Sequence, residues 1–356
     1  MSDAENYEDV VKTRGDSQFA QFEDDRKGPL ARLQHLLHIN PALVPLIILV
    51  VAISLFGMLL GQRFFSAGTL TLILQQVQIV GVLAAAQTLV ILTAGIDLSV
   101  GAVAVLCTVL MGQLTFRYGF PAEVSLLVGL VFGAAIGAIS GFLVSRVKIP
   151  PFIVTLGMWQ IVLASTYLFS RNETIRSSQL RDEAPTLLFL GGKVTIGGAT
   201  FTFGVILMIL LVVGLAYALR STAWGRHVYA VGDDPEAAQL AGVDVHKTLM
   251  SVYILAGLIC AIAGWVMIGR FSAISPSAST GVVGNIQSIT AVVIGGISLF
   301  GGRGSIYGAF FGAMIVGVFE MGLRMAGADP QWTFMLIGML IIAAVAVDQW
   351  IRKVSS

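Results

Sequence analysis

Residues 42–60 read ALVPLIILVVAISLFGMLL, nineteen positions without a charge. At a rise of about 1.5 Å per residue, such a run makes a helix close to the ~30 Å thickness of a bilayer's hydrocarbon core. Working outward, comparable apolar runs recur near 70–92, 99–115, 122–144, 150–169, 202–219, 248–268, 286–300, 306–324 and 332–348. The third and eighth are the shortest on signal, because Gly-rich stretches interrupt them. The expected fold is therefore all-α: a polytopic integral membrane protein of about ten transmembrane helices. The composition agrees, with 56% hydrophobic and 12% charged residues and a mean hydropathy of +0.88. A soluble domain carries about a quarter charged residues, so an ordinary soluble enzyme and a disordered chain are both excluded. Forty glycines suit helices that must pack closely without a hydrophobic drive between them. A net charge of +1 gives no basis for nucleic-acid binding.

Residues 1–40 hold eight acids and five Lys/Arg, unlike a secretory signal with its basic start and apolar middle. They are expected to form a cytoplasmic tail with a short amphipathic helix, 30–39, lying on membrane lipid through Leu30, Leu33, Leu36 and Leu37. His35 and His38 on that segment lack the carboxylates of a metal site, and no metal is expected elsewhere. The transmembrane domain is expected over 41–350, with a loop at 220–247 and a C-terminal tail at 351–356. With both termini inside, thirteen of the 21 Lys/Arg fall on the cytoplasmic side and eight outside, the sense of the positive-inside bias. Cys107 and Cys260 sit in apolar runs and read as small core residues.

Gly129, Gly133, Gly137 and Gly141 recur every fourth residue, and Gly304, Gly308 and Gly312 open the ninth run. Each series bares backbone on one helical face for close packing. The second run carries Gln75, Gln76, Gln78 and Gln87, with Gln75 and Gln78 on one face. Polar side chains at membrane depth turn toward a partner helix or a wet cavity, so interhelical bonding and a polar lining both remain open. In Thr93–Gly101, Asp97 or Ser99 is positioned to cap the next helix, and Asp97 is also a functional candidate by its depth. Glu320 and Arg324 are spaced for an i, i+4 ion pair. In the 220–247 loop, Asp234 suits an N-cap, Pro235 the first helical position and Gly242 the residue past the end, predicting a two-turn helix outside the membrane.

Glu236-Ala237-Ala238, three residues, then Gly242 resembles the start of the cytoplasmic loop motif of bacterial ABC importer permeases. The longer form's Ile-x-Leu-Pro ending is missing here, as is usual in the ribose-type branch of sugar permeases. Thr93–Gly101, Lys148–Gly157 (KIPPFIVTLG), Trp224–Val243 (WGRHVYAVGDDPEAAQLAGV) and Ala291–Gly308 (AVVIGGISLFGGRGSIYG) all look like that branch, in the same order, and the similarity runs from about 40 to 350. The resemblance implies the transmembrane subunit of an ATP-driven monosaccharide (ribose- or fructose-like) importer in the bacterial inner membrane. It also implies ABC ATPase subunits that use ATP and Mg, a periplasmic sugar-binding protein and a second permease copy as partners. Asp234, Pro235, Glu236, Ala237, Ala238 and Gly242 would couple to the ATPase; Gln75, Gln78, Asp97 and Asn285 would line the path. No G-x-x-x-x-G-K-[ST] phosphate loop occurs, so ATP hydrolysis is expected on a separate chain and no cofactor or catalytic residue on this one. An ion-coupled secondary transporter is the alternative of a different class, resting on Asp97 and the glycine break at 295–304. An ABC permease for branched-chain amino acids is the alternative within the class.

Overall fold

The computed structural model describes residues 42–355; the expected tail, with His35 and His38, lies outside them. In chain order come α1 (Leu43–Leu60), α2 (Ala67–Leu92), α3 (Val100–Phe116), α4 (Ala122–Ser145) and α5 (Pro151–Ser170). A connecting segment follows, with α6 (Ser177–Glu183) and a hairpin of β1 (Lys193–Ile196) and β2 (Ala199–Thr202). The chain continues through α7 (Phe203–Ser221), α8 (Ala223–Asp233), α9 (Pro235–Leu240), α10 (Val245–Phe271), α11 (Ala278–Ile294), α12 (Ile306–Met325) and α13 (Pro330–Ser355). Seven of these helices are long and apolar enough to cross a membrane, and α3 and parts of α11 and α13 form shorter apolar helices. The protein is a polytopic, mostly helical membrane protein.

Four details differ from the sequence reading. The hairpin departs from a purely helical chain; its turn is made by Gly197 and Gly198, both at positive φ. The eighth run was expected at 286–300, but α11 spans 278–294, because Ser279, Thr280, Gly281 and Gly284 dilute its first turns below the level an apolar-run reading detects. Gly304 does not open α12 as the glycine series suggested: it sits at φ 134° in the preceding loop, and the helix starts at Ile306. Helix α13 continues through 351–355, the stretch expected as a tail.

The long helices α2 and α10 are the most buried spans and form the centre; α1 and α5 are peripheral. Large apolar side chains point outward, among them Met58 at 85% and Leu168 at 80% exposure, as suits a surface solvated by lipid tails. Inside, α4 crosses α10 where Gly133 and Gly137 meet Gly257 and the Tyr253 backbone. A methyl group at Gly137 would overlap the Tyr253 carbonyl oxygen, and one at Gly133 would lie 2.6 Å from the Gly257 carbonyl. The same device joins α11 to α12, where Gly308 and Gly312 face the backbones of Gly295 and Ala291. The expected packing role of both series is realised at these positions.

Long-range bonds define two ends of the bundle. At the hairpin end, the Thr200 N–H donates to Thr71 Oγ1 at 2.7 Å, Arg270 Nε donates to the Gln75 carbonyl at 3.2 Å, and Ile175 pairs with Ile274. At the other end lie the C-terminus of α2, the start of α3, the helices α8 and α9, and the glycine loop 295–305. Substituting Gly137 with Val should lower the denaturation midpoint of the purified protein by the equivalent of ~1–3 kcal/mol, the usual cost of overpacking. Gly157→Ala, with nothing within 4 Å of the added carbon, is the matched control and should leave the midpoint unchanged.

Candidate functional site

The four ordered motifs converge in space at one end of the bundle. Helix α2 ends at Leu92, and the last carbonyls of a helix have no partner within it. The Leu92 carbonyl accepts a hydrogen bond from the Gly302 N–H at 3.0 Å, which draws in the 295–305 loop. That loop can make the turn because Gly301 and Gly302 adopt φ of 82° and 68°. Gly232 of α8 presses on the same spot; a Cβ there would overlap the Leu92 carbonyl oxygen. Tyr229 on α8 donates through its hydroxyl to the Gly304 carbonyl at 2.9 Å, and burial pushes its pKa up. From the Lys148–Gly157 motif, Thr155 Oγ1 on α5 donates to the Ile96 carbonyl at 2.9 Å.

Asp97 lies at the centre of this junction, 7% exposed. Its Oδ1 accepts from the Ser99 N–H at 2.7 Å and from the Ser99 hydroxyl at 2.6 Å. The capping expectation needs correction: Ser99 occupies the N-cap position of α3 but makes no side-chain capping bond, and Asp97 braces the turn one step earlier. Gln87, with its amide turned to suit its neighbours, bonds both the N–H and the carbonyl of Asp97, at 3.3 and 2.9 Å. Asn285 bridges the next step: its Oδ1 accepts from the Gly101 N–H and its Nδ2 donates to the Leu98 carbonyl. Both ends of the Asn285 amide are thus committed to the α3–α11 contact, and it lines neither of the cavities described below.

The helix predicted at 235–241 forms as α9, Pro235–Leu240. Asp234 Oδ1 accepts from the N–H groups of Glu236 and Ala237 at 2.9 and 3.0 Å, Pro235 is the first helical residue, and Gly242 follows the end at φ 88°. Only Ala238 faces inward; Pro235, Glu236, Ala237, Gln239 and Leu240 are exposed, Leu240 at 90%. Asp244 then caps α10, and the bond from the Lys247 N–H, helped by the Lys247 ammonium at 3.1 Å, holds its carboxyl below the usual range. The sequence reading missed α8, although Gly225, Val228 and Gly232 recur at helical spacing on its buried face. That helix joins the exposed α9 to the end of α2 and to the 295–305 loop.

Near the hairpin end, two adjoining cavities of about 250 Å³ each open between α2, α10, α11, α12 and α13. Gln76, Val283 and Gln287 form walls of both. Gln75 lines one of them, as the sequence suggested. Gln78 lines neither: it is 1% exposed, its Oε1 accepts from Thr202 Oγ1 at 2.7 Å, and its Nε2 donates to the Gln75 carbonyl at 3.2 Å. The expected Glu320–Arg324 pair forms at 3.0 Å in the wall of the other cavity, where Gln76 Nε2 also reaches Glu320 at 3.1 Å. The 244-residue separation of Gln76 and Glu320 hid that pairing from the sequence.

Because the Asn285 amide satisfies one buried donor and one buried acceptor at once, Asn285→Leu should cost at least ~1–3 kcal/mol, the penalty for leaving a buried polar group unpaired. A denaturant titration of the purified variant measures it, and an unchanged midpoint would refute the bridging role.

Residues 69–345 match the family described as "Branched-chain amino acid transport system / permease component". The chain is 64% identical over 337 residues to the fructose import permease protein FrcC of Rhizobium meliloti, covering 95% of this chain and 93% of that one. It is 33% identical over 307 residues to the ribose import permease protein RbsC of Escherichia coli K12, covering 86% and 92%. The autoinducer 2 import system permease protein LsrC of Photorhabdus luminescens is 32% identical over 309 residues, covering 85% and 89%. No solved structure matches the chain. With most of its length matched by the family and its spans, junction and exposed loop helix in place, the chain belongs to this family of transport-system permease components, and is a membrane transport subunit and not a catalytic chain.

Proposed function

We propose that this chain is the membrane-spanning subunit of an ATP-driven, binding-protein-dependent importer for a monosaccharide, with fructose the first candidate and ribose the second. The single observation that carries the cargo is the 64% identity to a fructose import permease along nearly the whole of both chains. The positive-inside bias supports an inner-membrane orientation with both termini and the 220–247 loop in the cytoplasm. A sugar-binding protein would then meet the hairpin end from the periplasm. Two ABC ATPase subunits, which hold ATP and Mg²⁺, would meet the opposite end, and a second permease copy would complete the assembly.

In this reading α9 is the coupling helix. Its exposed face, with Glu236, Gln239 and Leu240, seats in a groove of the ATPase, while Asp234, Ala237, Ala238 and Gly242 give the helix its shape. Closure of the ATPases on ATP pushes α9. Through α8 the push reaches Leu92 and Gly302 together, so the breaks after α2 and α11 move as one. The spans then exchange between outward- and inward-open arrangements, a two-state change biased by nucleotide. Asp97 serves this motion as a brace of the α2–α3 turn. Sugar selection falls chiefly to the binding protein, because a tight site in the path would trap its cargo.

Cells expressing the chain with its ATPase and binding protein should accumulate labelled fructose. Glu236→Arg and Gly242→Leu, at equal membrane abundance, should each lower that uptake at least tenfold and leave the membrane potential intact. Full uptake in both variants, abolished by a protonophore, would sink the ATP-driven reading in favour of an ion-coupled transporter.

A further inference from the structure

The two cavities near the hairpin end are walled by polar groups, only some of which are taken up by bonds between the helices. Gln76 is the tenth residue of a 26-residue helix, so it lies ~14 Å from that end by helical rise. Glu320 is five residues from the end of α12. Both therefore stand inside the apolar layer, where an ionisable or amide group is costly unless it meets a partner or water. Glu320 meets Arg324 and Gln76. Gln287, which walls both cavities, finds no hydrogen-bond partner for its side-chain amide among the described residues. Thr290 is 1% exposed and donates to the Ile286 carbonyl, which leaves its oxygen free to accept from the cavity. Arg270, near the hairpin end of α10, lines the second cavity, its Nε held by the Gln75 carbonyl.

The chemistry of this wall is specific in kind. The Glu320–Arg324 pair is neutral as a unit, and beside it Gln76, Gln287 and Thr290 offer both donors and acceptors. In the cavity walled by that pair, a cation or anion would find its charge already countered, while Arg270 alone brings charge to the other. A polyhydroxylated neutral molecule would find partners for hydroxyls that donate and accept, and apolar surface at Val283, Ile286 and Ile337 for the carbon faces of its ring.

The geometry points to these adjoining cavities as a water-filled station on the sugar's route through the hairpin half of the membrane, with Gln287 and Gln76 bonding the sugar's hydroxyls in passing. This assignment rests on the monosaccharide reading above. It replaces Gln78 and Asn285, whose amides are spent on the fold, with Gln76, Gln287 and Thr290 as lining residues.

Gln287 decides the matter, because it makes no structural bond whose loss could weaken the protein. In cells carrying the complete importer, Gln287→Leu should reduce the maximal rate of D-fructose uptake several-fold at unchanged membrane abundance. A merely structural role would leave that rate untouched. In parallel, Gln287→Cys should react with a membrane-impermeant maleimide at least tenfold faster than Leu210→Cys, an exposed apolar position on α7. Saturating D-fructose with its binding protein should slow that reaction. The native Cys107 and Cys260 are buried and provide a quiet background. Failure of either readout in a chain that still imports fructose overturns the assignment. Failure of the unsubstituted importer to take up fructose at all overturns instead the cargo reading beneath it.

Discussion

The hydrogen bond from the Gly302 N–H to the Leu92 carbonyl is the contact on which the working end of this protein depends. A helix terminus inside a membrane protein leaves carbonyls that no solvent is at hand to satisfy. Here the orphan is paired across 210 residues of sequence by a loop that only glycine allows to turn so sharply. Because the bond is made by backbone to backbone, the neighbours must come close, and Gly232 on α8 is the third element to do so. Three separate motifs are held by one point of contact, and the fourth joins through Thr155 and the Ile96 carbonyl. The glycines along α4 and α12 solve the same problem for whole helices: without a hydrophobic drive between helices in lipid, attraction comes from close contact, and close contact requires a missing side chain.

The legible part of the fold was the part set by local composition. Runs of about twenty apolar residues marked the spans, and Asp234, Pro235 and Gly242 marked α9 nearly to the residue, since cap, first turn and stop are all short-range effects. The eighth span was displaced because its first turns are built of Ser, Thr and Gly, which read as loop in a sequence but pack as helix against Gly101 and Ala102. The polar residues were harder. Four glutamines on α2 look alike in sequence, yet Gln87 braces Asp97, Gln78 ties α2 to the hairpin, and Gln75 and Gln76 face the cavities. Which role each takes is decided by what stands opposite, and those partners come from 10 to 244 residues away. The Glu320–Arg324 pair, four apart on one helix, was within reach of the sequence.

The cavities and the junction are set apart along a single helix. Helix α2 has Gln76 in the cavity wall and Leu92 in the junction, sixteen residues or ~24 Å apart by helical rise. In the coupling proposed above, a shift applied at α8 would reach the cavities as a tilt or slide of a rod, with no need for a chain of side-chain rearrangements between them. The deep burial of α2 and α10 holds both at the centre of the bundle, away from the exposed periphery of α1 and α5.

The backbone character of the junction also bears on how such proteins can be recombined. A loop that docked through side chains could be exchanged between relatives by matching a few residues at its surface. Segment 223–243 instead fits a mould made of main chain at Leu92 and Gly302. A chimera that carries this segment into a foreign permease has to bring 92–101 and 295–304 with it, and the natural unit of exchange is a triplet of distant segments, although the exposed part is one short helix.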